Sequence, residues 1–210
     1  MSAAPRARLA EPLLQLLAVT AVGSVLLLHL WAGLLVLLAF VCAWPPRVPW
    51  GRPAVRTVLL AYVPFALGWT AFAAGYLRLM AALGLPVAPQ PMLVELAAGG
   101  WAQPGLAVAA LGIVVVAPLV EELLFRGYVF TGLAVLLRPW GVQLATAALF
   151  GLAHGPGHAL PIGVLSLLFG YLRQHQGALL PSVLAHALHN GVTLTVVLTW
   201  PDLLDLLYGR

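Results

Sequence analysis

The sequence predicts an all-α protein, a polytopic transmembrane helical bundle of about seven spans with a buried polar site. Three observations carry this expectation. The 210-residue chain is 62% hydrophobic and 8% charged, with a mean hydropathy of +1.02, far less charge than a soluble domain of this size carries. Apolar runs follow one another nearly end to end, and the breaks between them hold Pro, Gly and Arg, residues that punctuate helices. Finally, a few ionisable side chains stand inside those runs at helical spacings. An ionised group in hydrocarbon costs at least ~2.5–3.5 kcal/mol on the mildest scale, so such groups need a reason to be there.

Composition also excludes function classes. The net charge of +4 comes from arginine, because there is no lysine, and the arginines are scattered between apolar runs. Nucleic-acid binding, which needs a basic patch, is therefore excluded. The single Cys42 rules out an internal disulfide and a cysteine zinc cluster; it reads as a small core or lipid-facing residue. The richness in Ala, Leu, Gly and Pro suggests GC-rich coding, hence a bacterial plasma membrane. No internal repeat and no low-complexity linker is visible. The chain divides into N-terminal transmembrane helices and loops (1–103), a helical core (104–200) and a short C-terminal tail (201–210).

The elements are expected in this order. Residues 1–11 form a short polar arm with Arg6 and Arg8. The apolar stretch from Pro12 to Trp44 is too long for one crossing, since thirty-odd residues make a helix of ~50 Å against a ~30 Å core. A tight hairpin at His29 to Gly33 would give two short spans, 12–28 and 31–44. Pro45 to Arg56 is a loop broken by Pro45, Pro46, Pro49, Gly51 and Pro53. A third span covers 57–77. Residues 84–103 form a loop with a short interfacial helix around Glu95. The fourth helix runs from Pro104 to Leu137, the fifth from Pro139 to His154, the sixth from Pro161 to Arg173–Gly177, and the seventh from Pro181 to Thr199. With a cytoplasmic N-terminus, the inner segments hold Arg6, Arg8, Arg47, Arg52, Arg56, Arg138 and Arg173, and the outer ones only Arg78 and Arg210. That is the positive-inside asymmetry, and it favours the hairpin.

Three apolar helices carry polar residues that can meet. In Glu121-Glu122-Leu123-Leu124-Phe125-Arg126, Glu122 and Arg126 are i, i+4 and can pair, while Glu121 points about 100° away round the helix. The division of labour expected is a structural ion pair of Glu122 with Arg126, leaving Glu121 for chemistry. Glu122 lies ~24 Å up the fourth helix from the Arg138 turn, and His154 ~22 Å up the fifth from the same turn. In the seventh helix His186 and Asn190 share a face, ~14 and ~20 Å above Gly177. One site can therefore gather Glu121, His154, His186 and Asn190. The other histidines, His29, His158, His175 and His189, read as interhelical hydrogen-bonders, the commoner role of a lone membrane histidine. Ser166 and Ser182 read as packing residues, because no base stands beside them at a nucleophile's spacing.

A carboxylate with imidazoles suits water activation. Such a set holds a water directly or binds a divalent metal, zinc being the expected one, with Glu121, His154 and His186 as candidate ligands. An Asn190 amide N–H suits a developing oxyanion. The chemistry indicated is hydrolysis of an amide bond inside the membrane.

At these residues the sequence resembles the CPBP family of intramembrane proteases, which unites CAAX prenyl proteases with bacteriocin-processing (Abi) enzymes. Its three signatures read here as Glu121-Glu122 to Arg126, Phe150 to His154, and His186 to Asn190, in order, with Phe125 and Gly127 completing Phe-Arg-Gly. The resemblance covers residues 106–199. It implies that Glu121 and His154 activate the attacking water, and that His186 and Asn190 stabilise the oxyanion or help ligate a metal. Both a metalloprotease and a metal-free glutamate mechanism are described for the family, and both stay open. The substrate implied is a membrane-bound peptide or protein within the lipid bilayer. Two other classes compete. A non-catalytic immunity or membrane-scaffold protein would use the same fold, but a degenerate site would be expected. A proton-coupled carrier would show inverted repeats or paired broken helices, and neither is found.

Overall fold

The computed structural model describes residues 30–208, and all regular structure among them is helical. The helices are α1 Leu30–Ala43, α2 Val55–Ala82, α3 Pro91–Gly99, α4 Leu106–Leu133, α5 Pro139–Ala153, α6 Ala159–Gln176, α7 Leu180–Thr199 and α8 Asp202–Tyr208. Proline opens α3, α5 and α7 in the first turn, where its missing N–H has no intrahelical partner to lose. Gly177 closes α6 in the left-handed conformation at φ 61°, which permits the abrupt turn into α7.

The breaks fall where Pro, Gly and Arg announced them, and the short helix around Glu95 is α3. Among the described residues three helices, α2, α4 and α7, are long and apolar enough to cross a membrane, against the about seven spans expected of the whole chain. Of the other expected spans, α5 has 15 residues, roughly 22 Å at the α-helical rise, and the described part of α1 has 14. The last turn of α6 is polar, with Arg173, Gln174, His175 and Gln176. The expected span 12–28 lies outside the described residues. Of the hairpin proposed at His29 to Gly33 only His29 lies outside them, and Leu30 to Gly33 belong to α1 instead of to a turn.

Much of the apolar surface faces outward. Leu67 on α2 is 73% exposed and Val108 on α4 is 76% exposed, as expected where the surrounding solvent is lipid. Inside, three apolar clusters tie the helices. Leu37 and Phe40 of α1 pack on Leu123, Leu124 and Tyr128 of α4 and on Val183 of α7. Val58 and Tyr62 of α2 pack on Leu165, Phe169 and Leu172 of α6 and Ala185 of α7. Leu96 of α3 joins Leu194, Val197 and Leu198 of α7 and Leu204 of α8. Helices α5 and α6 approach most closely. A Cβ at Gly151 would strike the Ala159 carbonyl and lie 2.9 Å from the Gly163 nitrogen, and one at Gly163 would lie 3.2 Å from the Ala147 carbonyl. Small residues let helix backbones touch in this way in membranes.

The bundle has two distinct ends. At one, the 44–51 loop meets the α6–α7 turn: the Leu179 and Leu180 N–H groups donate to the Pro49 and Trp50 carbonyls at 3.0 and 2.9 Å. The Tyr128 hydroxyl donates to the Trp44 carbonyl at 2.6 Å, and Arg173 donates to the Thr131 hydroxyl at 3.3 Å. At the other end, the Tyr76 hydroxyl donates to the Gly157 carbonyl at 3.0 Å, and His158 lies 3.4 Å from the Tyr208 hydroxyl.

Helix α4 is continuous but irregular. Two segments, Gly112–Val116 and Leu123–Val129, are wound in the wider i→i+5 register. The first has a visible cause in Pro118, which has no N–H to give to either the fourth or the fifth carbonyl before it. Ala117 N–H accordingly bonds the Gly112 carbonyl. Segments of this kind inside α-helices occur often at functional sites, and here they bracket Glu121 and Glu122.

Candidate active site

Helix α4 presents its two adjacent carboxylates to different surroundings, as their ~100° separation requires. Glu122 is fully buried. Its Oε1 accepts from Arg126 Nη1 at 3.0 Å and from His186 Nδ1 at 3.0 Å. Arg126 is also fully buried. Its Nη2 donates to the Ser166 carbonyl at 2.9 Å and to the Ser166 hydroxyl, and its guanidinium lies 4.6 Å from the Phe150 ring centre and 5.4 Å from that of Phe169. An ion pair taken out of water persists where hydrogen bonds and polarisable faces replace the lost solvent, and Arg126 has both.

Glu121 faces the imidazoles. Its Oε2 lies 3.7 Å from His154 Nε2 and 3.9 Å from His186 Nε2. That oxygen is buried and has no hydrogen-bond partner. The other ring nitrogens explain why. His154 Nδ1 lies 2.8 Å from the Phe150 carbonyl. A carbonyl only accepts, so this nitrogen carries the proton. His186 Nδ1 likewise donates to Glu122. In the neutral rings both Nε2 atoms therefore present lone pairs, and they face a carboxylate oxygen that is also an acceptor. Phe169 stacks on His186 with ring centres 4.6 Å apart, and Phe150 lies 4.8 Å from the His154 ring, so neither imidazole is free to turn. The site is unevenly exposed: the side chains of Glu121 and His154 are 29% and 26% exposed, against 5% for His186 and 0% for Glu122.

Three converging acceptors call for a hydrogen-bond donor or a cation between them. Donors of this kind, each imidazole held through its other nitrogen, are those that ligate zinc. Tetrahedral zinc bonds of about 2.0–2.2 Å set neighbouring donors roughly 3.3–3.6 Å apart. Glu121 Oε2 stands a few tenths of an ångström wider than this from each imidazole nitrogen, and among the described residues no group of three His, Cys, Asp or Glu is gathered tightly enough to hold a metal ion. The donors suit a divalent ion in kind, and their present spacing suits a water.

Of the residues singled out in the sequence, Glu121, His154 and His186 come together from α4, the end of α5 and α7. Glu122 and Arg126 form the expected pair, and Glu122 in addition holds His186. Asn190 takes a different partner: its Nδ2 donates to the Ile113 carbonyl at 2.9 Å. His189 docks α2, with its ring 4.7 Å from that of Trp69 and its Nδ1 3.4 Å from the Tyr62 hydroxyl. His158 stands beyond the turn after His154, and burial first, then the neighbouring His154, lowers its pKa below the usual imidazole value. Ser166, read in the sequence as a packing residue, and Phe169, which was not singled out, belong to the support of the site. No motif marks them, and only the crossing of α6 over Arg126 reveals their role.

Residues 103–192 match a family model described as type II CAAX prenyl endopeptidase Rce1-like. That segment contains α4 through most of α7, and with it all six residues of the proposed site and ion pair. Neither a search of curated proteins nor one of solved structures found a match. The helices and the matched segment together describe an integral membrane protein, and the family read from the three motifs is the one whose model residues 103–192 match, that of the CAAX prenyl endopeptidases of the Rce1-like type.

Proposed function

We propose that this protein is an intramembrane endopeptidase that hydrolyses a peptide bond of a membrane-associated protein or peptide, with Glu121 as general base. The observation that carries the reading is the partnerless Glu121 Oε2 facing the two Nε2 atoms at 3.7 and 3.9 Å. A water placed among them donates one hydrogen to Glu121 and the other to an imidazole nitrogen. Its lone pair is then directed outward, toward the exposed side where a carbonyl carbon would approach. As the oxygen–carbon bond forms, the Glu121 carboxylate takes the proton. Glu121 then delivers it to the amide nitrogen as the carbon–nitrogen bond breaks, which leaves an amine and a carboxylic acid. Glu122 keeps His186 in its Nδ1–H tautomer throughout, and the Phe150 carbonyl does the same for His154.

A divalent ion, zinc for preference, would be held by Glu121, His154 and His186 once they draw together, and would supply an activated water and a Lewis acid. The test is cleavage of membrane peptides, prenylated and unprenylated, by purified protein in proteoliposomes, with metal analysis and a chelator arm. Cleavage lost in Glu121→Gln supports the reading. A wild type that cuts no substrate while binding one would favour a scaffold or immunity role. Cleavage that survives the chelator in metal-free protein would support the water-only mechanism.

A further inference from the structure

We infer that Asn190 is a positioning residue, which acts on the site through the Ile113 carbonyl that Pro118 leaves without a backbone donor. This rests on the endopeptidase reading above.

The hydrogen-bond ladder of α4 gives the reason. The carbonyl of a helical residue normally accepts from the N–H four residues on, or five residues on in the wider register. For Ile113 these are Ala117 and Pro118. Ala117 N–H is taken by the Gly112 carbonyl, and Pro118 has no N–H. The Ile113 carbonyl is thus an orphan of the register change, in a helix that crosses lipid. Each unsatisfied backbone group there costs several kcal/mol, because no water can replace the missing donor. Asn190 Nδ2 meets this oxygen at 2.9 Å.

The bond ties α7 to α4, the two helices that carry His186 and Glu121, a turn or two away from those side chains. Asn190 lies one turn after His186, and Ile113 lies two turns before Glu121. His186 is also fixed to Glu122 at 3.0 Å. The two bonds together fix the rotation and rise of α7 against α4, and with them the approach of His186 Nε2 to Glu121. The role differs from donation to an oxyanion: what Asn190 touches is the backbone of α4, and its effect on the reaction passes through the placing of Glu121 and His186.

The two roles separate in a rescue experiment. Asn190→Leu keeps the forked shape of the side chain and removes the donor. It should lower kcat by about 10–100-fold, the usual loss when an outer-shell partner goes. Pro118→Ala restores an N–H in the i→i+5 position to Ile113, continuing the register of the Ala117–Gly112 bond. In the Asn190→Leu background it should recover most of the lost turnover, with KM little changed in all variants. Isotope-edited infrared spectra of carbon-13-labelled Ile113 should show its carbonyl band rise in Asn190→Leu and return in the double variant, whether or not the protein is active. A return of the band with no return of turnover overturns the inference in favour of direct oxyanion donation, for which a loss of ~10²–10³ is the expectation. An Ile113 band that does not move in Asn190→Leu overturns it as well. Absence of cleavage in the wild type would instead count against the endopeptidase reading, and the infrared arm would still decide whether Asn190 satisfies Ile113.

Discussion

A single carboxylate oxygen separates the two glutamates in role. Glu122 Oε1 is shared between Arg126 and His186, each at 3.0 Å, so it is both half of a buried ion pair and the anchor of an imidazole. Glu122→Gln should lower thermal stability by on the order of 3–5 kcal/mol, because Arg126 stays buried without its counter-charge, and should also slow turnover by freeing His186. Glu121→Gln removes no hydrogen bond that the fold uses, so it should unfold with the wild type and be inactive. Melting curves in detergent beside cleavage assays check both, and equal melting temperatures for the two variants would contradict the assignment. Arg126→Lys tests the surroundings of the pair. Its donors fork to Glu122 and to Ser166, and its flat guanidinium lies over Phe150. A lysine offers neither the fork nor the plane, so the variant should melt lower although the charge is kept.

Among the helices, α5 and α6 form the tightest pair, and Gly151 is where they touch. Gly151→Ala has no room for its methyl group against the Ala159 carbonyl and the Gly163 nitrogen. It should cost about 1–3 kcal/mol as an overpacking change and displace His154, three residues on, so stability and turnover fall together. Gly163→Ala, with 3.2 Å to its nearest backbone atom, should be milder; the reverse order in thermal melts would refute this account of the contact. The helices themselves were legible in the sequence because proline, glycine and arginine mark their ends. The meeting of Glu121 with His154 and His186 was legible from rise per residue, since α4 and α5 climb equally from one turn. What rise could not give was rotation. The wide-register segments of α4 turn the helix by amounts that a uniform 3.6-residue period misses, and they create the carbonyl that Asn190 finds. Ser166 was illegible for a related reason: its meaning lies in which face of α6 crosses Arg126.

At the scale of the whole molecule, the arginines follow the two ends of the bundle. Arg47 lies in the loop that meets the α6–α7 turn and Arg52 follows it, Arg56 lies in the first turn of α2, Arg173 touches Thr131 at the same end, and Arg138 lies in the turn that follows α4. Arg78 stands near the other end, toward Gly157. Single cysteines at positions 50 and 140, in a Cys42→Ser background, should label from the cytoplasmic side of intact cells, and ones at 86 and 156 from the other; labelling of 50 and 156 from one side would refute this orientation. Helix α5 adds a consequence for the membrane itself. Its 15 residues reach roughly 22 Å where the hydrocarbon is ~30 Å thick, and it ends at His154 with Trp140, Leu144 and Leu152 facing outward. Lipid beside a hydrophobic surface that stops short must compress or admit headgroups. His154 would then stand under a dimple in the bilayer, where water and a polar peptide bond descend less far to reach it. Cleavage should accordingly run faster in vesicles of short-chain phosphatidylcholine than in long-chain ones at equal substrate density. The same turnover in both would mean that the bilayer keeps its full thickness around α5.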